Sequence, residues 1–386
     1  MSVIVALFLG LSISAEEICR DRKILRRERF LNLSWFSYVN SKLLYLAIVA
    51  TVQMFLYLIA VNLFITVPEM FLKTYIILLL CAFGASALGL NISAAFRSPI
   101  TIYILIPLLL IPQILLGGVV VRYAEMISGK SIDRNVPDYA TLLFSRWGYE
   151  ALVVEQYCRN PYMQHFLEAD AGIRQAEYNL DHYLPELQSR ARSLMILKDR
   201  RQSSELAEQA DLLKNEIIKL ERQTGIPSGI ALSNFHPDRY DQTVANAIDE
   251  YIRTSRRLIF DRRRQAAVQR REAELRLEGQ IGNGGLETLK KASMNRWIQK
   301  LVLNHDELEA VGVAKNSLYQ KTLPIYQLPE SVYGEAHFLA STKRLGKYLI
   351  PTFTFNLLMI VMLTFLLCIA LYAKILPRLL GSIPKP

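Results

Sequence analysis

The stretch Glu16–Phe30, EEICRDRKILRRERF, decides the fold because it puts a run of positive charge between two apolar segments. Val3–Ala15 precedes this stretch, and a second apolar segment begins near Leu43. Arginine and lysine beside membrane spans are kept on the cytoplasmic side, so this short loop orients the helices that follow it. Its positive residues are Arg20, Arg22, Lys23, Arg26, Arg27 and Arg29.

Four apolar stretches beyond this loop are long enough to cross a membrane. A helix needs roughly 20 apolar residues to span a hydrocarbon core. The region from about Arg122 to Lys347 has no comparable stretch and holds most of the charge. The sequence therefore predicts an all-α fold, a polytopic membrane helix bundle with a polar insertion before its last helix. The four stretches are Leu43–Val67, Phe71–Phe96, Ile100–Val121 and Leu349–Leu371.

The N-terminal segment is shorter than a full span. It lacks the positive residues that precede the apolar core of a secretory signal, and positive charge follows it instead. We expect the second half of a transmembrane helix, which would make the chain the C-terminal part of a longer product. The alternative is a short helix whose N-terminus lies outside the cell.

Alternation of the spans sets the topology. With the basic loop inside, the region from Arg122 to Lys347 lies outside, and the tail with Lys374, Arg378 and Lys385 returns to the cytoplasm. The formal charge of +10 then reflects topology and solvated helix faces, so we expect a lipid membrane and no nucleic acid as a partner.

Polar residues in the middle of the predicted spans carry no charge. The absence of an ionisable residue in mid-span argues against a proton-coupled transporter or an ion pump. Amides commonly form hydrogen bonds between packed helices. We expect helix packing or a substrate path at Gln53, Asn62, Asn91, Gln113 and Asn356. Cys81, Ala85, Gly89 and Ser93 recur every four positions, which predicts a close helix contact.

The polar insertion divides into an aromatic part and a charged helical part. Tyrosines and tryptophan between Val136 and Pro161 favour helices at the membrane interface or re-entrant helices. Further on, apolar residues repeat at alternating spacings of four and three, which predicts a coiled coil. We expect the run Leu206–Leu220 to pair antiparallel with the run Asp238–Glu278, as a partner-binding element or a self-contained bundle.

These observations define the expected segments, and no motif for catalysis or metal binding accompanies them. We therefore expect no enzyme activity in this chain. The segments are a partial transmembrane helix (1–15), a cytoplasmic coupling loop or helix (16–42), three transmembrane helices (43–121), membrane-interface or re-entrant helices (122–160), an extracytoplasmic coiled-coil domain (161–346), and the last transmembrane helix with a cytoplasmic tail (347–386).

Several of these segments resemble the membrane domain of ABCG-type ABC exporters, a type-2 ABC permease fold. The loop from Glu16 to Leu44 resembles the segment before the third helix of that family, and Leu116–Val119 resembles the end of its fifth helix. A later segment resembles that family's P-x-W-x-x-x-x-S-x-x-x-Y-x-x-E-A-L motif, with Trp147 displaced. It is represented by Pro137, Ser145, Tyr149, Glu150, Ala151 and Leu152. The large insertion is similar to bacterial variants.

The resemblance implies a permease driven by a cytoplasmic ABC ATPase domain, fused upstream or separate. ATP and Mg would sit on that domain, and this chain itself would carry no cofactor. The resemblance implies a homodimer or heterodimer of permeases in the bacterial inner membrane. Contact with the ATPase is expected at Arg26, Arg27, Glu28 and Arg29.

Two alternatives to an exporter stay open. One is a mechanotransmitting ABC permease that drives a periplasmic partner through the coiled coil. The other is a membrane scaffold without transport activity.

Overall fold

The structure is a computed structural model, and most of the chain is helical. The described residues are 1–28, 34–64, 70–118, 120–121, 123, 136–199, 203–236, 239–282, 284–304, 307, 309–314, 316–329, 331 and 333–381. The helices are α1 (Ser2–Ser14), α2 (Glu17–Glu28), α3 (Trp35–Phe64), α4 (Phe71–Ala95), α5 (Pro99–Leu115), α6 (Phe144–Cys158), α7 (Leu167–Tyr178), α8 (Leu184–Asp199), α9 (Ser203–Thr224), α10 (Gln242–Ile281), α11 (Gly285–Ser293), α12 (Arg296–Leu303), α13 (Thr352–Tyr372) and α14 (Ile375–Gly381).

Four short strands form two separate antiparallel hairpins. A π-helical segment, Asn179–Tyr183, joins α7 to α8. The strands are β1 (Val311–Ala314), β2 (Ser317–Gln320), β3 (Thr342–Leu345) and β4 (Tyr348–Pro351).

The chain divides into two compact units. The first unit comprises Met1–Met126, Asn135–Gln156 and Pro329–Pro386, and the second comprises Ile127–Arg134 and Tyr157–Leu328. The second unit thus ends earlier than the insertion predicted for 161–346. Residues after Leu328 belong to the first unit because Phe338 packs against Tyr123, with ring centroids 5.0 Å apart.

Among the described residues, four helical runs are long and apolar enough to cross a membrane. They are Ser2–Leu25, Trp35–Phe64, Phe71–Ala95 and Thr352–Tyr372, and α5 is a shorter apolar helix. The first run includes α1, a turn at Ala15–Glu16 and most of α2. Large apolar side chains cover the outside of α3, as expected of a surface that faces lipid. Examples are Leu44, Ile48, Phe55 and Leu56.

The helices of the first unit alternate in direction. α1 runs parallel to α4, because Gly10 meets Ala82 and Gly89 meets Ser14. α3 runs antiparallel to both, since Lys42 near its start reaches Glu17 and the Tyr57 hydroxyl reaches Ser2. The alternation expected of consecutive membrane spans is therefore present.

α1 and α4 pack with their backbones close together. A Cβ atom at Gly10 would collide with the carbonyl oxygen of Ala82, and one at Gly89 would collide with the Ser14 hydroxyl. The four small residues predicted as a contact face are all buried, with Cys81, Ala85, Gly89 and Ser93 inside the unit. Small residues let helices approach this closely in a membrane, where dispersion contacts replace hydrophobic driving force.

The helix predicted for Ile100–Val121 is shorter than expected. α5 ends at Leu115, and Gly118 adopts φ +82°, a left-handed conformation that favours glycine. Pro112 within the helix lacks a backbone donor, so the last turns hold fewer hydrogen bonds. The chain then leaves the helical path before a full span is complete.

The last apolar helix also differs from the prediction. The sequence indicates helix from Leu349, but Tyr348–Pro351 is strand β4, paired with β3. Pro351 precedes the first helical residue, Thr352, and the residue before a helix commonly has extended backbone. The hairpin β3–β4 therefore comes directly before α13.

The second unit contains a different helix pairing from the one predicted. α10 runs antiparallel to α7, since Arg270 pairs with Asp170 at 2.7 Å and Arg263 pairs with Glu177 at 3.0 Å. α9 runs antiparallel to α8, where Arg190 bonds Gln209.

Consequently α9 and α10 run parallel to each other, and the predicted antiparallel pairing of these two segments is wrong. Arg262 donates a hydrogen bond to the carbonyl of Gln223, so the C-terminal end of α9 lies beside the middle of α10. The chain between them must therefore return along the length of α9, over residues 225–241. The sequence pattern shows an apolar seam on each helix, but it does not show which other helix packs against that seam.

The apolar seams themselves are largely as predicted. Leu206, Ala210, Leu213, Ile217 and Leu220 are all buried in α9. In α10 the buried positions include Val244, Ile248, Tyr251, Ile252 and Ile259, whereas Ala247 is exposed and Leu258 is half-buried.

The α1–α4 contact generates a stability prediction. Gly10→Val places side-chain atoms against the backbone of α4, so we expect overpacking to lower the free energy of unfolding by about 1–3 kcal/mol. The measurement is the apparent melting temperature of the detergent-purified full chain. Ala60→Val, at an exposed position of α3, is the matched control and should leave it unchanged. Equal melting temperatures for Gly10→Val and wild type would contradict the packing.

Candidate functional site

The end of the first unit that carries the basic run is built around α2. Lys42 in α3 lies between two carboxylates of α2, 2.5 Å from Glu17 and 2.7 Å from Asp21. The Tyr38 hydroxyl donates a hydrogen bond to Asp21 at 3.1 Å. Charge-assisted hydrogen bonds are stronger than neutral ones, so the acidic residues of the run hold α2 to the start of α3.

Arg22 holds the same helix to α4. Its guanidinium donates to the carbonyl oxygens of Ser93, Ala94 and Phe96 at 3.3, 2.7 and 2.8 Å. The backbone N–H of Cys19 also donates to the Ser93 hydroxyl at 2.9 Å. The last carbonyls of a helix lack partners within it and carry partial negative charge, so a cation is favourable there.

The opposite side of α2 faces outward. Arg20 has 70% of its side chain exposed and Ile24 is 53% exposed, and Lys23 and Arg27 are also exposed. Ile18, by contrast, is 3% exposed in an apolar cluster. α2 is therefore an amphipathic helix with an anchored inner side and a basic outer side that holds one apolar residue.

The four residues expected to contact an ATPase lie at the end of α2 and just beyond it. Arg27 is exposed, while the side chains of Arg26 and Glu28 lie outside the described part of the chain. Arg29 lies outside the described residues altogether. The structure adds Arg20, Lys23 and Ile24 to the outward face, which the sequence reading did not name as contact residues.

Three of the five amides expected in the spans lie in helix contacts. Asn91 donates to the carbonyls of Ala87 and Leu367, linking α4 to α13. Gln113 accepts from the backbone N–H of Ser145. Asn356 joins a charged cluster at the start of α13. Gln53 and Asn62 are half-buried in α3.

The charged cluster lies at the other end of the bundle from α2. Lys343 of β3 lies 2.6 Å from Glu150 of α6, and their side chains are 1% and 0% exposed. Asn356 donates to Glu150 at 2.8 Å and accepts from Lys343 at 2.9 Å. The N–H of Leu339 donates to the other Glu150 oxygen at 3.2 Å. The cluster therefore joins α6, β3 and α13.

α6 brings Glu150 to this place by packing against α4. A Cβ at Gly148 would lie 3.0 Å from the Cys81 sulfur, and one at Gly84 would lie 2.5 Å from the Phe144 ring. Farther along, Glu155 pairs with Lys73 at 2.6 Å. α6 thus runs antiparallel to α4, from the middle of that helix to its beginning.

A second cation lies beside the cluster. Arg146 is 4% exposed and stacks on Trp147 at 3.8 Å, and its Nε and one terminal nitrogen lack hydrogen-bond partners in the described structure. Lys343 lies over the same ring at 4.7 Å. With Glu150 as its one carboxylate, the group formed by Arg146, Glu150 and Lys343 carries a net positive charge.

Burial and the neighbouring charges set the ionisation of this pair. Burial opposes ionisation of Glu150, but the positive charges of Lys343 and Arg146 hold its pKa below the ordinary value. Burial also lowers the pKa of Lys343 to about 8, against the attraction of Glu150. The attraction within the pair therefore favours its ionised form, while burial opposes it.

Sequence reasoning identified Glu150 and Asn356 but missed Lys343 and Arg146. Lys343 follows a long charged segment and has no local signal, since its partner Glu150 is 193 residues away. Arg146 lies within the motif region, where its spacing of four from Glu150 would have placed both on one helix face.

The ion pair gives a double-mutant prediction. Glu150→Gln and Lys343→Met each leave one buried charge without its partner, so we expect each to lower the free energy of unfolding by about 3–5 kcal/mol. The combined variant should lose less than the sum of the two. Thermal unfolding of the detergent-purified chain measures all three. Additive losses would mean that the two residues do not act as a pair.

In comparison with known proteins, the N-terminal part of the chain matches a family. The sequence model of the ABC-2 type transporter family matches residues 1–157. No curated protein and no solved structure matches the chain. The matched region contains α1 to α5 and α6 as far as Tyr157, including the anchored α2 and Glu150. With four apolar helices of spanning length among the described residues, this is a multi-pass membrane protein, and through residues 1–157 it carries an ABC-2 type transporter membrane domain, the permease component of an ABC transporter.

Proposed function

We propose that the chain is the membrane-spanning subunit, or a fragment, of an ATP-driven ABC exporter and that α2 receives the motion of a cytoplasmic ABC ATPase. The observation that carries this proposal is the two-sided construction of α2. Its inner side is tied to α3 by Lys42 and to α4 by Arg22, and its outer side is basic and exposed.

The ties determine which helices would move with α2. Lys42 contacts two carboxylates on successive turns of α2, so displacement or rotation of α2 pulls on the start of α3. Arg22 holds three carbonyls at the end of α4, which packs against α1 through its backbone. A push on α2 would therefore reach three helices at once.

We infer that α2 lies on the cytoplasmic side, and the distribution of positive charge supports this. Helix alternation gathers Arg20, Arg22, Lys42 and Lys374 at one end of the first unit, where Lys374 lies 4.2 Å from the Trp35 ring centre. Positive charge beside membrane spans is retained in the cytoplasm. The second unit then lies outside, and the membrane is the inner membrane of a bacterium.

The other components of the proposed transporter are an ATPase domain and a second permease chain. ATP and Mg would bind the ATPase domain, whether fused or separate, because phosphoryl transfer needs a phosphate-binding loop and bound Mg²⁺. Two permease chains, identical or different, would line the path for the exported substrate. Exposed apolar faces on α3 and α5 offer surfaces for lipid and for a second permease.

The coupling proposal predicts the effect of charge reversal on α2. In the native complex purified through the tagged full chain, Lys23→Glu with Arg27→Glu should lower ATP hydrolysis by the bound ATPase at least about fivefold, because reversed charges repel the partner surface. Lys347→Glu, an exposed change in the β3–β4 turn, should leave hydrolysis unchanged. Vanadate-sensitive phosphate release is the measurement.

Three outcomes separate the candidate functions. Unchanged hydrolysis in the double variant would refute the role of α2. A wild-type chain that purifies without any ATP-hydrolysing protein would favour a membrane scaffold. ATPase coupling with no movement of solute across reconstituted vesicles would favour a permease that transmits force to an outside partner.

A further inference from the structure

The longest helix of the second unit carries an exposed basic face. α10 has 40 residues, and one of its sides packs against α7 and α8. The opposite side holds a set of residues that we call the basic stripe. Its members are Arg253, Arg257, Phe260, Arg264, Val268, Arg271 and Leu275, and all are exposed.

The stripe is narrow, straight and long. Successive residues of an α-helix are separated by about 100°, so its members fall within an arc of about 80°. From Arg253 to Leu275 the helix rises about 33 Å, at roughly 1.5 Å per residue. The buried residues of α10, such as Ile252 and Ile259, lie on the opposite side. The stripe is therefore a separate surface and not the edge of the core.

Between Arg253 and Leu275, four arginines and no carboxylate lie within this arc, and Glu250 and Glu278 continue it just beyond either end. Asp261 and Glu272 flank it on one side, and Arg271 pairs with Glu274 of its own helix at 2.9 Å. Within the described part of the chain, Arg253, Arg257 and Arg264 form no ion pair. Other arginines of α10 do form such pairs, as Arg263 does with Glu177 and Arg270 with Asp170.

Apolar side chains alternate with these charges at helical spacing. Phe260, Val268 and Leu275 are 53%, 52% and 52% exposed. They are separated by eight and seven residues, and Arg257, Arg264 and Arg271 are separated by seven each. A seven-residue repeat keeps a stripe facing a second helix along its length.

We infer that the basic stripe of α10 docks an acidic amphipathic helix of a partner protein. The apolar residues supply anchors, and the arginines select carboxylates on both sides of the partner's apolar seam. A second copy of this chain does not fit, because two basic stripes repel each other. The inference does not depend on coupling to an ATPase.

A lipid surface fits the stripe less well than a helix does. Helices that lie on membranes present a broad, continuous apolar face to the acyl chains. Here an arginine interrupts the apolar residues in every heptad, and only three large apolar side chains are available. The seven-residue repeat also matches the spacing of a second helix, whereas a fluid lipid surface has no repeat for it to match.

The test uses the full chain in phosphatidylcholine nanodiscs, whose lipid carries no net charge. The probe is a fluorescent four-heptad peptide with leucine at positions a and d and glutamate at e and g. A peptide of the same composition in scrambled order is the control. We expect saturable binding of the heptad peptide by anisotropy, much weaker binding of the scrambled one, and weakening by added salt.

Two variants locate the binding surface, and a third serves as a matched control. Arg253→Glu with Arg257→Glu and Arg264→Glu should weaken binding at least about tenfold, because three attractions become repulsions. Phe260→Ser with Val268→Ser and Leu275→Ser should also weaken it. Arg222→Glu with Lys291→Glu and Arg296→Glu makes the same charge change at exposed positions of α9, α11 and α12. This control should bind like wild type.

Each contrary result overturns the inference. Equal binding of both peptides, or equal loss in the stripe and control variants, would mean unspecific attraction between charges. Flotation of the nanodiscs with vesicles of phosphatidylglycerol and phosphatidylcholine, lost only in the stripe variants and without peptide binding, would assign the stripe to lipid. Since all substituted residues are exposed, unchanged circular dichroism should accompany every variant.

Discussion

The close contact between α1 and α4 is the constraint on which the first unit depends. Gly10 and Gly89 leave no room for a side chain between the two backbones. The helices run parallel and Ser14 lies against Gly89, so α2 begins beside the last turns of α4. From that position Arg22 reaches three carbonyls at the end of α4. α6, which carries Glu150, packs against both helices of this contact, since Gly148 lies against Val3 of α1 and Cys81 of α4. The α1–α4 pair therefore contacts the elements that carry the polar sites at both ends of the bundle.

Local patterns predicted the elements well, because they report on one helix at a time. The small-residue repeat from Cys81 to Ser93 indicated the α4 contact, and the basic run was expected to form a loop or helix and lies in α2 as far as Arg27. Stretches of apolar residues located three of the four long apolar helices of the described chain but not their ends, and the run that begins at Ser2 was expected to be only a partial helix. The apolar stretch predicted a helix as far as Val121, whereas α5 ends at Leu115 and Gly118 has a positive φ. Apolar composition alone does not show where a helix stops.

Pairings between distant residues were beyond the reach of the sequence. Lys343 shows no feature that points to Glu150, and the choice of α7 and α8 as partners of α10 depends on the whole second unit. Each seam in α9 and α10 satisfies several arrangements equally, so periodicity could not exclude an antiparallel hairpin. The role of the acidic residues in the basic run was also missed. Glu17 and Asp21 hold α2 in place by pairing with Lys42.

The Glu150–Lys343 pair also joins the two points at which the chain leaves and re-enters the first unit. Glu150 comes shortly before Tyr157, where the second unit begins, and Lys343 follows shortly after Leu328, where it ends. Closing a long loop costs chain entropy that grows only slowly with its length. Once these two residues are bound, the membrane domain is closed on itself whatever lies between them. The second unit is thus inserted between two segments that this pair holds together, and the pair itself sets no limit on the length of the insertion.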